Sequence, residues 1–367
     1  MLHDWQDMCH FHGKVREDDI RVYAEKCLDA GIQRLYWRVT HTGPVSWYSK
    51  IEDVYHGDIR TRRTKTVGAA LERFDMLRLG VKYAHEVGLE IHPWFTVYDA
   101  AFHDLNLCSR LYREHPEYVW ETRDGEKKDE AFSLAFPEVR AYKLSLVKEI
   151  ITYGVDGVLL DFRRPYALDR TDSLGVSIYG YEKPAVEAYR NRYGVDPRKI
   201  DNTSVAVDET GYSSWIRFRA EYNTQFLREL RKYVDGLDNR LEVATLIYET
   251  NNLAGHLIDW ETWANEGLVD VLCPYDEGYA DVARGYKQHI KDKCKLFVVQ
   301  DILVHGAWLG WPVINGPDLA WKPEFFLQRA KSALNSGADG IILGQTMYIE
   351  TCGYWDTVKN VAELCNT

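Results

Sequence analysis

Residues 153–165 read Tyr153-Gly154-Val155-Asp156-Gly157-Val158-Leu159-Leu160-Asp161-Phe162-Arg163-Arg164-Pro165. An amphipathic stretch ends in glycine, a short aliphatic run follows, and the run closes on a carboxylate and two arginines. Glycine suits the left-handed residue that ends a helix and turns the chain into a strand. The same join recurs at Ala30-Gly31-Ile32-Gln33 before Leu35–Val39, and at Val87-Gly88 before Leu89–Phe95. It returns at Glu266-Gly267 before Leu268–Tyr275, and at Ser336-Gly337-Ala338-Asp339 before Gly340–Gln345. Five such joins argue for repeated αβ units on a parallel sheet. Two further apolar runs, Leu241–Tyr248 and Leu296–Gln300, and a shorter one, Trp5–His10, bring the strand candidates to eight. Helices are expected near 17–30, 68–87, 138–153, 213–235, 258–266, 279–291, 322–336 and 354–364. Strand and helix alternate without a break in composition. The reading is therefore a single (β/α)8 barrel of the α/β class, spanning residues 1–367. A doubly wound open sheet is the alternative, but neither GxGxxG nor GxxxxGK[ST] follows a strand.

Three excursions are too long for plain connections: residues about 40–67, 163–212 and 302–321. All fall on the C-terminal side of the barrel, where loops build sites. The first carries Trp47 and the last Trp308 and Trp311, which are expected to line or cap the mouth. The formal charge of -11, with no long run of one sign, argues against a nucleic-acid or anionic-membrane partner and favours a neutral or cationic small molecule or glycan. No apolar run reaches the roughly 18 residues of a membrane span. The start, Met1-Leu2-His3-Asp4, lacks the basic and apolar regions of a secretory signal. A cytoplasmic protein is expected from the chain as written, and a periplasmic or secreted one if a signal has been removed. Seven scattered cysteines without CxxC spacing read as buried free thiols. Twelve Trp, 24 Tyr and 12 Phe supply core bulk and also suit stacking on sugar rings.

The strand ends of a barrel converge on one mouth. Four of them present a carboxylate here: Asp161, Glu249, the pair Asp276 and Glu277, and Asp301. Glycoside hydrolysis needs two carboxyl groups, roughly 5–5.5 Å apart for retention and 6.5–9.5 Å for inversion. Asp161 ends a buried run, and Arg163 and Arg164 follow to orient it. The alternative is a structural Asp–Arg pair. Glu249 precedes Asn251 and Asn252, whose amides suit sugar hydroxyls, or else it is an exposed loop residue. Asp276 and Glu277 open a helix, where the dipole alone favours acids. Asp301 is a second candidate partner for Asp161. The expected substrate-binding set is completed by Trp37, His92, Trp94, Tyr248, Tyr275 and Gln345 at other strand ends, with a satisfied core histidine as the equal alternative for His92. An HxH at His10 and His12 invites a metal. That site would also want a strand-4 lysine and histidines ending strands 5 and 6, where Asp161, Glu249 and Asp276 stand instead, so no metal and no cofactor is expected.

The run Asp156-Gly157-Val158-Leu159-Leu160-Asp161-Phe162-Arg163-Arg164-Pro165 resembles the strand signature of the glycosyl hydrolase-like family 10 proteins and related TIM-barrel glycosidases. Supporting stretches are Gly88–Phe95, Pro137-Glu138-Val139-Arg140 and Asn265–Pro274, in the same order across about residues 18–345. The resemblance implies a TIM barrel, glycosidase activity on a carbohydrate substrate, and Asp161 in the active site. It does not fix the second carboxylate. A barrel that binds carbohydrate without cleaving it is the first rival, and a metal-dependent, amidohydrolase-like hydrolase the second.

Overall fold

The computed structural model describes the chain except residues 5–6, 8–14, 41, 58–61, 103–105, 163–169, 207–208, 249–251, 277–281, 302–321, 345 and 367, and the side chains of 62–64, 276 and 301. Eight parallel strands follow one another around a nearly closed barrel. They are β1 (Leu2–His3), β2 (Arg34–Arg38), β3 (Glu90–Thr96), β4 (Gly157–Asp161), β5 (Glu242–Ile247), β6 (Val271–Asp276), β7 (Lys295–Asp301) and β8 (Gly340–Gly344). The seam between β8 and β1 is held by the Thr346 hydroxyl, which donates to the Leu2 carbonyl at 3.1 Å. The glycines of the five helix-to-strand joins have φ between 67° and 99°, a region costly for any residue with a Cβ.

The alternation of the strands sorts the side chains into two layers. Leu2, Tyr36, Trp94, Leu159, Ala244, Leu246, Val271, Cys273, Tyr275, Val299 and Ile342 fill the barrel interior. The intervening positions, among them Leu35, Trp37, Ile91, Phe95, Val158 and Leu160, pack outward under the helices. The helices Glu17–Asp29, Pro137–Ile151, Tyr212–Val234, Pro323–Asn335 and Trp355–Cys365 lie close to their expected places. The helix expected over 68–87 is two, Arg62–Leu71 and Met76–Glu86, because Asp75 caps the second by accepting the Arg78 N–H.

Strand β1 departs most from expectation. It lies at Leu2–His3, before the Trp5–His10 run, because Leu2 carries the inward position and pairs with Tyr36. The sequence reading also passed over the long β3-to-β4 connection, which folds into two antiparallel hairpins, Ala101–Phe102 with Leu107–Cys108 and Val119–Glu121 with Lys127–Phe132. Within the second expected excursion the helix Lys183–Tyr193 packs on Tyr212–Val234 through Tyr189, Trp215 and Phe218. The cysteines within the described residues are free thiols, and no described helix is long and apolar enough to cross a membrane.

Candidate active site

Among the described residues, the ends of β1 to β4 come together at the mouth. Alternation along β2 sends Arg34, Tyr36 and Arg38 inward, so Arg38 emerges above the interior layer. Its Nη1 donates to Asp4 Oδ2 at 2.9 Å, just past the end of β1. Its guanidinium lies 5.0 Å from the centre of the Trp94 ring. Trp94, fully buried on β3, donates its indole N–H to Asp161 Oδ2 at 2.9 Å. Asp161 is the last residue of β4 and only 3% exposed. Level with Asp161, Thr40 donates its hydroxyl to Thr96 Oγ1 at 3.0 Å, tying the chain beyond β2 to β3.

Further buried carboxyls stand nearby. Asp99, beyond β3, accepts the Thr42 N–H at 3.1 Å. Burial pushes its carboxyl up, against the pull of Arg38 and Lys143. Asp7 accepts the Asp4 N–H at 2.9 Å, and burial, then the neighbouring Asp4, holds it well above the usual carboxylate range. Burial works against the Arg38 cation, yet Asp4, Asp99 and Asp161 together outweigh it and strengthen its hold on its proton. Lys143, buried beside Asp99, donates to that residue's carbonyl at 2.6 Å, and burial lowers its ammonium to about 8. The result is one guanidinium under the influence of several buried carboxyls, where electrostatic interactions are strong.

Of the residues expected to act, the fold brings Trp94 and Asp161 into direct contact and places Tyr275 in the interior layer near the end of β6. Tyr248 follows β5 and stacks on His256 with ring centres 3.4 Å apart. Asp276 and Asp301 end β6 and β7. Glu249, Asn251, Glu277, Arg163, Arg164, Trp308, Trp311, Gln345, His10 and His12 lie outside the described residues.

Three expectations are corrected. Trp37 faces the helices, stacked on His3 with centroids 4.2 Å apart, because its neighbour Arg38 takes the inward direction. His92 faces inward but at the opposite end of the barrel, between Glu90 and Glu242 at 3.7 and 3.9 Å. It fills space that a Cβ at Gly157 would occupy, 2.4 Å from its ring. Trp47 is fully buried and anchors its own loop, its indole N–H donating to Glu149 Oε2 at 2.9 Å on helix Pro137–Ile151. Asp4 was missed because β1 was sought too far along the chain. Arg38 falls within the expected strand Leu35–Val39 and is not among the expected site residues, although two-residue alternation from Tyr36 points to it. Among the described residues no group of three or more His, Cys, Asp or Glu gathers to hold a metal ion.

The family model of the glycosyl hydrolase-like 10 proteins matches residues 6–302, most of the chain and all the strands from β2 to β7. The chain belongs to this family. Its fold is shared with solved glycoside hydrolases. The glycoside hydrolase domain of PgaB (BpsB) from Bordetella bronchiseptica superposes with a TM-score of 0.67 at 11% identity, over 99% of this chain and 98% of that one. A β-galactosidase from the psychrophilic Marinomonas ef1 gives 0.62 at 13% identity, over 100% of this chain and 59% of that one. The α-L-fucosidase isoenzyme 2 of Paenibacillus thiaminolyticus gives 0.58 at 13% identity, over 96% of this chain and 46% of that one. At these identities the likeness is one of fold. No curated protein sequence matches the chain.

Proposed function

We propose that this member of the glycosyl hydrolase-like 10 family is a glycoside hydrolase acting on an oligosaccharide or polysaccharide, with Asp161 as one of its two working carboxyls. The observation that carries the reading is the placement of Asp161: buried, at the mouth end of β4, with one oxygen held by the Trp94 indole. A carboxyl fixed in this way has a defined direction toward a bound sugar, which positioning catalysis requires. Its partner is Asp301, at the end of β7 on the far side of the barrel, or Glu249 beyond β5. One carboxyl protonates the leaving oxygen, and the other attacks the anomeric carbon or activates a water toward it. Tyr275 and Tyr248, with Trp308 and Trp311, supply aromatic faces for the sugar, and Arg163, Arg164, Asn251, Asp276, Glu277 and Gln345 supply polar ones.

The test is turnover of a panel of aryl glycosides and oligosaccharides, with iminosugars as inhibitors. Cleavage inhibited by an iminosugar and unchanged by exhaustive chelation is the expected result. Sugar binding without cleavage would replace this reading with a carbohydrate-binding barrel. Loss of turnover on chelation would replace it with a metal-dependent hydrolase.

A further inference from the structure

Trp94 hydrogen-bonds Asp161, but an indole is a hinged plate whose χ2 well is broad. The plate is packed in the interior layer, and a further contact reaches it from one strand back. The Arg38 guanidinium stands over the Trp94 ring at 5.0 Å, and its Nη1 is tied to Asp4 Oδ2 at 2.9 Å. Asp4 is itself pinned: its N–H donates to Asp7 Oδ2, and its carbonyl accepts the Asp7 N–H, both at 2.9 Å. The side chains of Arg38 and Asp4 are 21% and 11% exposed, so the pair is largely removed from water. The Arg38 Nε is buried and makes no hydrogen bond among the described residues. Among the described residues, Asp4 holds the guanidinium at one edge and Trp94 lies against one face.

We propose that Arg38, locked by Asp4, is the positioning residue of the site and orients Asp161 through the plane of Trp94. The inference rests on the reading of Asp161 as a working carboxyl. It makes the ends of β1, β2, β3 and β4 one mechanical unit, in which Asp4, beyond β1, helps to set the direction of Asp161 through Arg38 and Trp94. A plain ion pair tying β1 to β2 would support the barrel but would carry no information to Asp161. A lysine at position 38 keeps the charge and loses the plane, so it separates the two roles.

The experiment uses the full chain labelled with 15N-tryptophan, the Trp94 indole resonance being assigned from Trp94→Phe. Arg38→Lys, Arg38→Met and the nearly isosteric Asp4→Asn are each expected to shift that resonance, Asp4→Asn included although Asp4 acts only through Arg38. Each is expected to lower kcat by about tenfold to hundredfold, the cost of a slightly misplaced group, with KM within about twofold. Asp4→Asn combined with Arg38→Lys is expected to cost no more than the worse single variant, since both break the same unit. A Trp94 resonance unmoved in Asp4→Asn and Arg38→Lys overturns the proposal, whatever the activity. Should the Arg38 variants not fold, Asp4→Asn alone decides by the same resonance. A shifted resonance in a protein whose wild type cleaves no glycoside overturns the glycosidase reading and leaves the relay standing. Turnover abolished by Asp161→Asn with an unmoved resonance does the reverse.

Discussion

Asp156 precedes the strand β4 and Asp161 ends it, so the two belong to opposite ends of the barrel. Asp156 lies at the floor, partly open to solvent. Its Oδ2 accepts the Ile91 N–H at 2.8 Å and meets His85 Nε2 at 2.9 Å, while its own N–H reaches the Ile91 carbonyl at 3.2 Å. The same clasp stands before β6 and β8. Asp270 accepts the Val243 N–H at 2.8 Å and pairs with Arg231 at 2.7 Å. Asp339 accepts the Leu296 N–H at 2.8 Å and pairs with Lys287 at 2.7 Å. In each, the aspartate before an even strand binds both the N–H and the carbonyl of one residue on the preceding odd strand. Farther inside the floor, Arg34 joins Glu90 and Glu242. Floor carboxylates are thus consumed by backbone and cations from neighbouring elements. At the mouth, Arg38 pairs with Asp4 and feels the charges of Asp99 and Asp161. The floor carboxylates tie neighbouring strands together, while those at the mouth gather near a single cation, at the end where loops build sites in barrels of this kind.

The comparison is broken most directly at Asp161. Asp161→Asn is expected to lower turnover by about a thousandfold, within the range of a lost general acid or base, with a melting curve close to that of the wild type. Near-normal turnover with a lowered melting temperature would make Asp161 a structural residue like Asp156. A buried carboxyl with neither clasp nor cation should be a liability, and Glu182 is such a group. It is 1% exposed, accepts the Glu121 N–H at 2.9 Å, and forms no ion pair among the described residues. Burial raises it from the usual 4.5 to about 7. The folded chain therefore keeps a proton that the unfolded chain has already released, and stability falls as pH rises through this window and is flat above it. The drop is on the order of 3 kcal/mol. Denaturant unfolding from pH 4 to 8 should show it, and Glu182→Gln should reduce the slope by this amount, leaving the shares of Asp7 and Asp99.

Asp270→Ala sharpens the floor side. It is expected to cost about 2 kcal/mol, the scale of a charge-assisted hydrogen bond, with turnover per folded molecule unchanged. A fall in turnover at full stability would mean that floor and mouth are not separate. The smallest effect is expected at Trp47, now assigned to loop anchoring. Trp47→Phe loses one buried hydrogen bond, about 1 kcal/mol, while Ser49 and Lys50 still hold Glu149. A kinetic defect without destabilisation would return Trp47 to the mouth.

The alternation of barrel strands and helices, the barrel they close and the family were legible in the sequence, but the two hairpins between β3 and β4 were not. These rest on local features that repeat: glycine joins, aliphatic runs, and the Asp161 signature. Strand β1 was misplaced because two residues carry too little alternation to register as a strand, and only pairing with β2 defines it. Trp37 and Arg38 show the same limit at the scale of one residue. Both end β2, and a period of two allows only one to face the mouth, but which one depends on Tyr36 lying in the interior layer. His92 has the inward parity and the wrong height, since distance along the barrel axis follows from the stagger of neighbouring strands. The sequence alone determined which residue types end each strand. Tertiary structure decided which of them share a layer, because the tilt and closure of the barrel, and no property of a single segment, bring Asp4, Arg38, Trp94 and Asp161 together.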